Sequence, residues 1–357
     1  MGELSRRAGA RTLIAVLLLA GLFALPSASS PSQDWRGGPV RILVVGDSMT
    51  QGSAGDWTWR YRLWQHLTEH RVAFDLVGPR DDLWDNVTGG FGSHAYVDPD
   101  FDADHAARWG MSMTFPDDGI SDLVADYDPD VVVEMLGVND LQFLGQSPED
   151  LEGVLRRFVA DARSVSPDVD VVLTRLPQPW LDAVPAFNDR VDALAAELTT
   201  ADSRVVSAQA DAGLVRAEDT WETYHPNATG DVKIAAAVAD ALSELGVGPP
   251  ADRPLPEVPR GPRIRPVLTA TSELGDVHLV WQRSPGAQES EVFVRDVTAG
   301  EDWRQVAAHV TGTTYDVAGL TGGHHLQVQV VPTKWGWRAL EDAWSNVVDV
   351  EVGADTG

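Results

Sequence analysis

Val40-Arg41-Ile42-Leu43-Val44-Val45-Gly46-Asp47-Ser48-Met49-Thr50-Gln51-Gly52 is an apolar, β-branched run that ends in a tight turn. A helical pattern follows at Trp59–His70. Runs this continuously apolar suit the interior of a parallel sheet, where both faces are covered. The turn presents the Ser48 hydroxyl at the carboxyl end of the strand, where open α/β sheets bind their ligands. Serine is a weak nucleophile until a base lies within hydrogen-bond reach. The rest of the chain is therefore read for a base and for donors able to hold an oxyanion.

Further apolar runs recur at Val72–Val77, Asp130–Leu136, Val169–Leu173 and Arg204–Ala208. Between and after them lie helical patterns at Gly119–Tyr127, Pro148–Ser164, Pro185–Thr199 and Ala228–Leu245. Alternation of this kind predicts an α/β domain over residues 38–246, with five parallel strands covered by helices on both faces. Arg80–Asp104 and Asp140–Pro148 read as loops at the rim of a substrate site.

Residues 247–262 are rich in proline, including Pro254, Pro256, Pro259 and Pro262, and predict an extended, semi-rigid linker. Beyond it the period changes to strict alternation, as in Val277-His278-Leu279-Val280-Trp281 and Leu326-Gln327-Val328-Gln329-Val330. Glu291–Val294, Thr314–Val317 and Val347–Val352 continue the pattern. About seven short strands over residues 263–353 predict an all-β sandwich. Trp281 is expected in its core.

At the N-terminus Arg6, Arg7 and Arg11 precede an uncharged run, Leu13–Leu25, and then Pro26-Ser27-Ala28-Ser29-Ser30. The run is shorter than the roughly 20 residues a spanning helix needs, so residues 1–30 read as a signal peptide of a secreted protein. Cleavage is expected near Ala28 to Ser30. The chain lacks cysteine, which excludes thiol nucleophiles and thiolate metal sites. The formal net charge of −27 argues against nucleic acid and anionic membrane surfaces as partners.

Three dispersed features complete a chemistry around Ser48. Gly110 follows the second strand and its long loop. Gly137-Val138-Asn139-Asp140 follows the third strand. His225 sits in Glu222-Thr223-Tyr224-His225-Pro226-Asn227, ahead of the last helix, and Pro226 suits a first helical position. In acyl transfer Ser48 would attack a carbonyl, and His225 would take its proton and return it to the leaving oxygen. The backbone N–H groups of Ser48 and Gly110, with the Asn139 amide, would form the oxyanion hole. Asp47 and Asp140 are candidates to support that hole from behind.

Gly46-Asp47-Ser48-x-Thr50-x-Gly52, Gly110, Gly137-x-Asn139-Asp140 and His225-Pro226-Asn227 resemble the four ordered blocks of the GDSL, or SGNH, hydrolase superfamily. The resemblance spans about Pro39 to Leu245. It implies a flavodoxin-like three-layer α/β/α fold, ester hydrolysis through an acyl-enzyme, and neither metal nor cofactor. Trp59-Arg60-Tyr61-Arg62-Leu63-Trp64 and Asp75-Leu76-Val77-Gly78 are similar to the acetylxylan-esterase-like branch, carbohydrate esterase family three. The C-terminal segment resembles a fibronectin type III domain, with Leu326 where a strand tyrosine is usual. In the hydrolase family an aspartate usually stands three residues before the histidine, and here that position is Glu222. Glu222 is the expected orienting acid, with Asp219 or a backbone carbonyl as substitutes.

These readings predict a secreted serine esterase that removes short acyl groups, acetyl foremost, from a small-molecule or polysaccharide substrate. The sandwich would be a spacer or would contact polysaccharide. A lipase or phospholipase of the same superfamily, and a polysaccharide-binding protein with a decayed site, are the alternatives. Trp57, Trp59, Trp84, Trp109, Trp180 and Trp221 are many for one domain; Trp57, Trp109 and Trp221 lie where flat rings could stack on sugars. Trp64 reads as core. Asp98, Asp100, Asp102 and Asp104 alternate like a calcium loop but lack its glycine and distal glutamate, so a solvated acidic loop is expected. Trp335-Gly336-Trp337 is either a binding tip or a packed turn.

Overall fold

The structure is a computed structural model that describes residues 37–354 except 56 and 274. The expected signal peptide, residues 1–30, lies outside the described residues. Among the described residues no helix is long and apolar enough to cross a membrane.

The chain begins with β1 (Val40–Gly46), α1 (Ser48–Gln51), α2 (Thr58–Glu69), β2 (Phe74–Val77), β3 (Leu83–Asp85), β4 (Gly90–Ser93), β5 (Ala106–Ala107) and α3 (Ile120–Tyr127). It continues with β6 (Val131–Met135), α4 (Val138–Phe143), α5 (Pro148–Val165), β7 (Asp170–Thr174), α6 (Val184–Leu198), β8 (Val205–Ala208), α7 (Arg216–Asp219) and α8 (Ala228–Glu244). The parallel order is β2-β1-β6-β7-β8, the doubly wound order that the family resemblance implies. The sheet carries one more piece: β5 pairs with the end of β1, Val45 opposite Ala106 and Gly46 opposite Ala107. Two alanines give no periodic signal, which is why β5 is invisible in the sequence. The β3–β4 hairpin and the last four residues of α4 likewise occupy stretches expected as loops.

Burial explains the strands. Ile42, Leu43, Val44, Val131, Val132, Val133, Val171 and Val172 are all fully enclosed. Helices supply the covering layers: α2 packs on α8, and α5 packs on α3 and α6. In α5, Ser147 caps the first turn through the Asp150 N–H, Pro148 opens the helix, and Leu151, Leu155, Val159 and Ala162 form one buried stripe.

The C-terminal half is all β: β9 (Leu268–Glu273), β10 (Asp276–Trp281), β11 (Glu289–Asp296), β12 (Arg304–Val310), β13 (Thr314–Val317), β14 (His325–Lys334), β15 (Trp337–Arg338) and β16 (Val348–Glu351). They form two antiparallel sheets, β13-β10-β9 and β12-β11-β14, with β15 and β16 added along β14. Trp281 and Leu326 lie in the core between them. The linker is tied down rather than free-standing. Ala251 N–H donates to Asp240 at 2.8 Å, Arg260 Nε donates to Thr229 Oγ1 at 3.1 Å, and the Arg260 guanidinium lies 4.5 Å over the Trp337 ring.

Candidate active site

Ser48 opens α1 directly after β1, and Asp47 caps that short helix by accepting the Met49 N–H at 3.0 Å. Gly46 makes the turn tight: a Cβ there would stand 2.1 Å from Thr50 Oγ1, so a side chain would push the helix off the strand. Arg60, fully buried on α2, clamps α1 from the other end. Its guanidinium donates to Thr50 O at 2.7 Å, Gln51 O at 3.2 Å and Ala103 O at 2.8 Å. Carbonyls at a helix end need such donors.

His225 is presented by a loop pinned at several points. Trp221 N–H donates to His225 O at 2.9 Å, Gln178 Nε2 to Tyr224 O at 2.8 Å, and Trp180 Nε1 to Thr223 O at 2.9 Å. Asn227, not Pro226, caps α8, accepting from Thr229 N–H at 2.9 Å and Gly230 N–H at 3.3 Å. Pro226 therefore precedes the cap, instead of occupying the first helical position.

The loops bring the expected residues together. His225 Nε2 is 2.9 Å from Ser48 Oγ, and His225 Nδ1 meets Glu222 Oε1 in a close pair. With Nδ1–H donating to the carboxylate, Nε2 is left to accept the Ser48 hydroxyl proton. The longer glutamate folds back by accepting three backbone N–H groups: Thr223 at 2.5 Å, Tyr224 at 3.0 Å and His225 at 2.9 Å. Partial burial works to raise the Glu222 pKa, but the His225 ring and these N–H groups outweigh it and bring the carboxyl down to about 2. Asp219 is not at the imidazole. Its buried carboxylate accepts from Lys233 Nζ at 2.7 Å and Val215 N–H at 2.7 Å.

Asn139 and Gly110 line one cavity, and Asn139 Nδ2 donates to Met111 O at 2.8 Å and to Asp47 Oδ2 at 3.3 Å. Asp140 accepts the Met113 and Thr114 N–H groups, each at 2.8 Å, and so fixes the loop that carries Gly110. Gln51 adds a second tether by accepting the Trp109 N–H at 2.7 Å. Burial pushes the Asp47 carboxyl up to about 7, against the Met49 N–H and with the help of the nearby Asp140 charge. Glu134, on the central strand β6, is also enclosed, and burial holds it well above the carboxylate range.

Sequence reasoning gave no role to Arg60, Gln51, Glu134 or His105. His105 is buried; its Nε2–H donates to Asp82 O at 2.9 Å and its Nδ1 accepts Ala107 N–H at 3.0 Å, anchoring β5. Burial, with Arg60 nearby, lowers its pKa strongly, so the ring is neutral. Glu134 carries a local signal, a polar residue inside the apolar run Val131–Met135, which marks buried hydrogen bonding.

The aromatic expectations divide. Trp109 stacks on His225 with ring centroids 4.3 Å apart, and Trp84 stacks on Trp109 at 5.5 Å. Trp221 lines a cavity with Trp84, Trp109 and His225, whereas Trp57 packs on Tyr61 at 4.7 Å and Trp59 is core. Trp64 is half-buried against the core. The acidic loop does not converge: Asp98 accepts the Tyr61 hydroxyl at 2.9 Å and Asp102 accepts Leu76 N–H at 2.9 Å. Among the described residues one group, His66, His70 and Asp252, has metal-like spacing, and it lies outside the Ser48 site.

The sequence profile of the GDSL-like Lipase/Acylhydrolase family matches residues 44–232. No curated protein gives a match. A carbohydrate esterase family 3 structure from Talaromyces cellulolyticus is 27% identical, with a TM-score of 0.51, over 58% of this chain and 98% of that one. A serine-to-alanine mutant of an acetyl esterase, with acetate ion, matches with the same identity, TM-score and coverage. An Fn3-like protein from Clostridium thermocellum matches 24% of this chain and 90% of its own, at 22% identity and a TM-score of 0.22.

Proposed function

We propose, because this chain belongs to the GDSL-like lipase/acylhydrolase family and is an esterase, that it cleaves short acyl esters of carbohydrates with Ser48 as nucleophile. The observation that carries this is the line Ser48 Oγ, His225 Nε2, His225 Nδ1, Glu222 Oε1. Ser48 Oγ attacks the carbonyl carbon while its proton passes to Nε2, and Glu222 supports the imidazolium. The carbonyl oxygen takes up negative charge facing the Ser48 and Gly110 N–H groups and Asn139 Nδ2. The 3.3 Å contact of Asn139 with Asp47 is the weaker of its two and is the one an oxyanion would replace. Collapse breaks the bond to the alcohol oxygen, which takes the proton from Nε2. Water then repeats the sequence on the acyl-Ser48 ester and releases the acid.

The recess at Ser48 itself, lined also by Met49, Trp109, Trp221 and His225, is only about 20 Å³ and favours a small acyl group. The likeness to the carbohydrate esterase and acetyl esterase structures supports the same substrate class. Export by an N-terminal signal is part of this proposal and rests on Arg6, Arg7, Arg11 and the run Leu13–Leu25. One observation favours a second reading, hydrolysis of longer lipid esters: Phe115, Phe143 and Leu144 stand exposed beside Gly110 and Asn139. Rates on p-nitrophenyl esters from acetate to octanoate test the choice. A steep fall with chain length is expected; a maximum at octanoate overturns the short-acyl proposal in favour of the second reading.

A further inference from the structure

The cavity on the His225 side of Ser48 has walls from both halves of the chain. It measures about 340 Å³, with Trp84, Trp109, Trp221 and His225 on one side and Gln288 and Trp335 of the sandwich on the other. We propose that this cleft is a saccharide subsite, in which Trp335 and Gln288 hold the sugar whose ester is cleaved at Ser48. The inference rests on the esterase reading, and it makes the sandwich part of the substrate site instead of a spacer.

Chemistry places the alcohol half of the ester here. His225 Nε2 must return its proton to the leaving oxygen, so that oxygen and the sugar behind it lie on the imidazole side. The volume falls in the range of small-molecule sites. Flat indole faces suit the C–H faces of a pyranose, and the Gln288 and Asn86 amides can meet its hydroxyls.

The sandwich is docked by specific contacts. Lys334, 2% exposed, donates from Nζ to Ser53 Oγ at 2.6 Å and sits 4.8 Å over the Trp221 ring. Asn86 Nδ2 donates to Gly286 O at 3.3 Å. Two glycines make the approach: a Cβ on Gly286 would lie 2.1 Å from Ala54 O, and one on Gly55 would lie 2.2 Å from Pro285 O. Trp335 is then set at the rim. Its φ is +50°, uncommon for a bulky residue, and its N–H donates to Gln288 Oε1 at 2.9 Å. The side chain stays 51% exposed beside the cleft instead of packing into the sandwich core.

The test compares kcat/KM of the full chain on acetylated xylotriose and on p-nitrophenyl acetate, for wild type, Trp335→Ala and Gln288→Ala. The ratio of the two values, sugar ester over aryl ester, should fall about tenfold in Trp335→Ala, mainly through KM, and severalfold in Gln288→Ala. Ratios equal to wild type in both variants, with wild-type melting temperatures, overturn the subsite. Wild-type activity on the aryl ester without activity on the sugar ester overturns it too. Absence of turnover on both esters instead removes the esterase reading beneath it.

Discussion

Trp109 lies flat on His225, ring centroids 4.3 Å apart and planes inclined by 18°. The imidazole is thus held between a carboxylate at its edge and an indole on its face. Such a stack fixes the ring plane and, in the proposed mechanism, would favour the imidazolium formed when Ser48 gives up its proton. Replacing Trp109 by alanine removes an interaction of about 1–2 kcal/mol, so kcat/KM on p-nitrophenyl acetate should fall about tenfold. Unchanged kinetics would show that the indole serves only the substrate cleft.

Glu222 should behave as the orienting acid. Its replacement by alanine frees the imidazole and the three N–H groups that the carboxylate gathers. A loss of about 10⁴ in kcat is expected, with measurable turnover remaining. Asp219→Asn should not reproduce that loss, because its carboxylate serves Lys233 and the Val215 N–H. Equal losses in the two variants would contradict the assignment.

The same glutamate predicts a pH dependence of stability. Its carboxyl drops from 4.5 to about 2 on folding, so the unfolded chain binds its proton more readily. The resulting stabilisation is complete above the unfolded value and disappears as pH falls toward the folded one. The melting-temperature gap between wild type and Glu222→Gln should therefore be larger at about pH 7 than at about pH 3. A gap that grows on acidification would have the wrong sign.

Arg60 should matter for stability and activity together. Arg60→Met leaves the carbonyls of Thr50, Gln51 and Ala103 without their donor inside the protein. About 3 kcal/mol of destabilisation is expected, read from denaturant unfolding. Arg60→Met at wild-type stability would show that α1 needs no clamp.

What the sequence made legible follows from physical range. The run Val40–Val45 and its four companions are local signals, and the doubly wound sheet is built from them. The meeting of Ser48 with His225 was readable because strand ends collect at one edge of such a sheet. Spacing favours Glu222 over Asp219, but Asp219 could not be dismissed in one dimension: it too precedes His225 closely, and Lys233, which occupies it, lies on the next helix. Trp335 was legible as an aromatic turn residue but not as a wall of the cleft. Its position depends on Gly55, Gly286 and Lys334 meeting partners in the other half of the chain. The strands β9 and β12 leave no clear sequence signal because their alternation is mostly half-exposed and polar.

Labelling with a fluorophosphonate, followed by peptide mapping, decides whether Ser48 is the nucleophile. The label should reside on Ser48 in the wild-type protein, be absent in Ser48→Ala, and form far more slowly in His225→Ala. Turnover that persists in Ser48→Ala, or a label found on another residue while esterase activity is lost, would contradict a mechanism built on the Ser48–His225 contact.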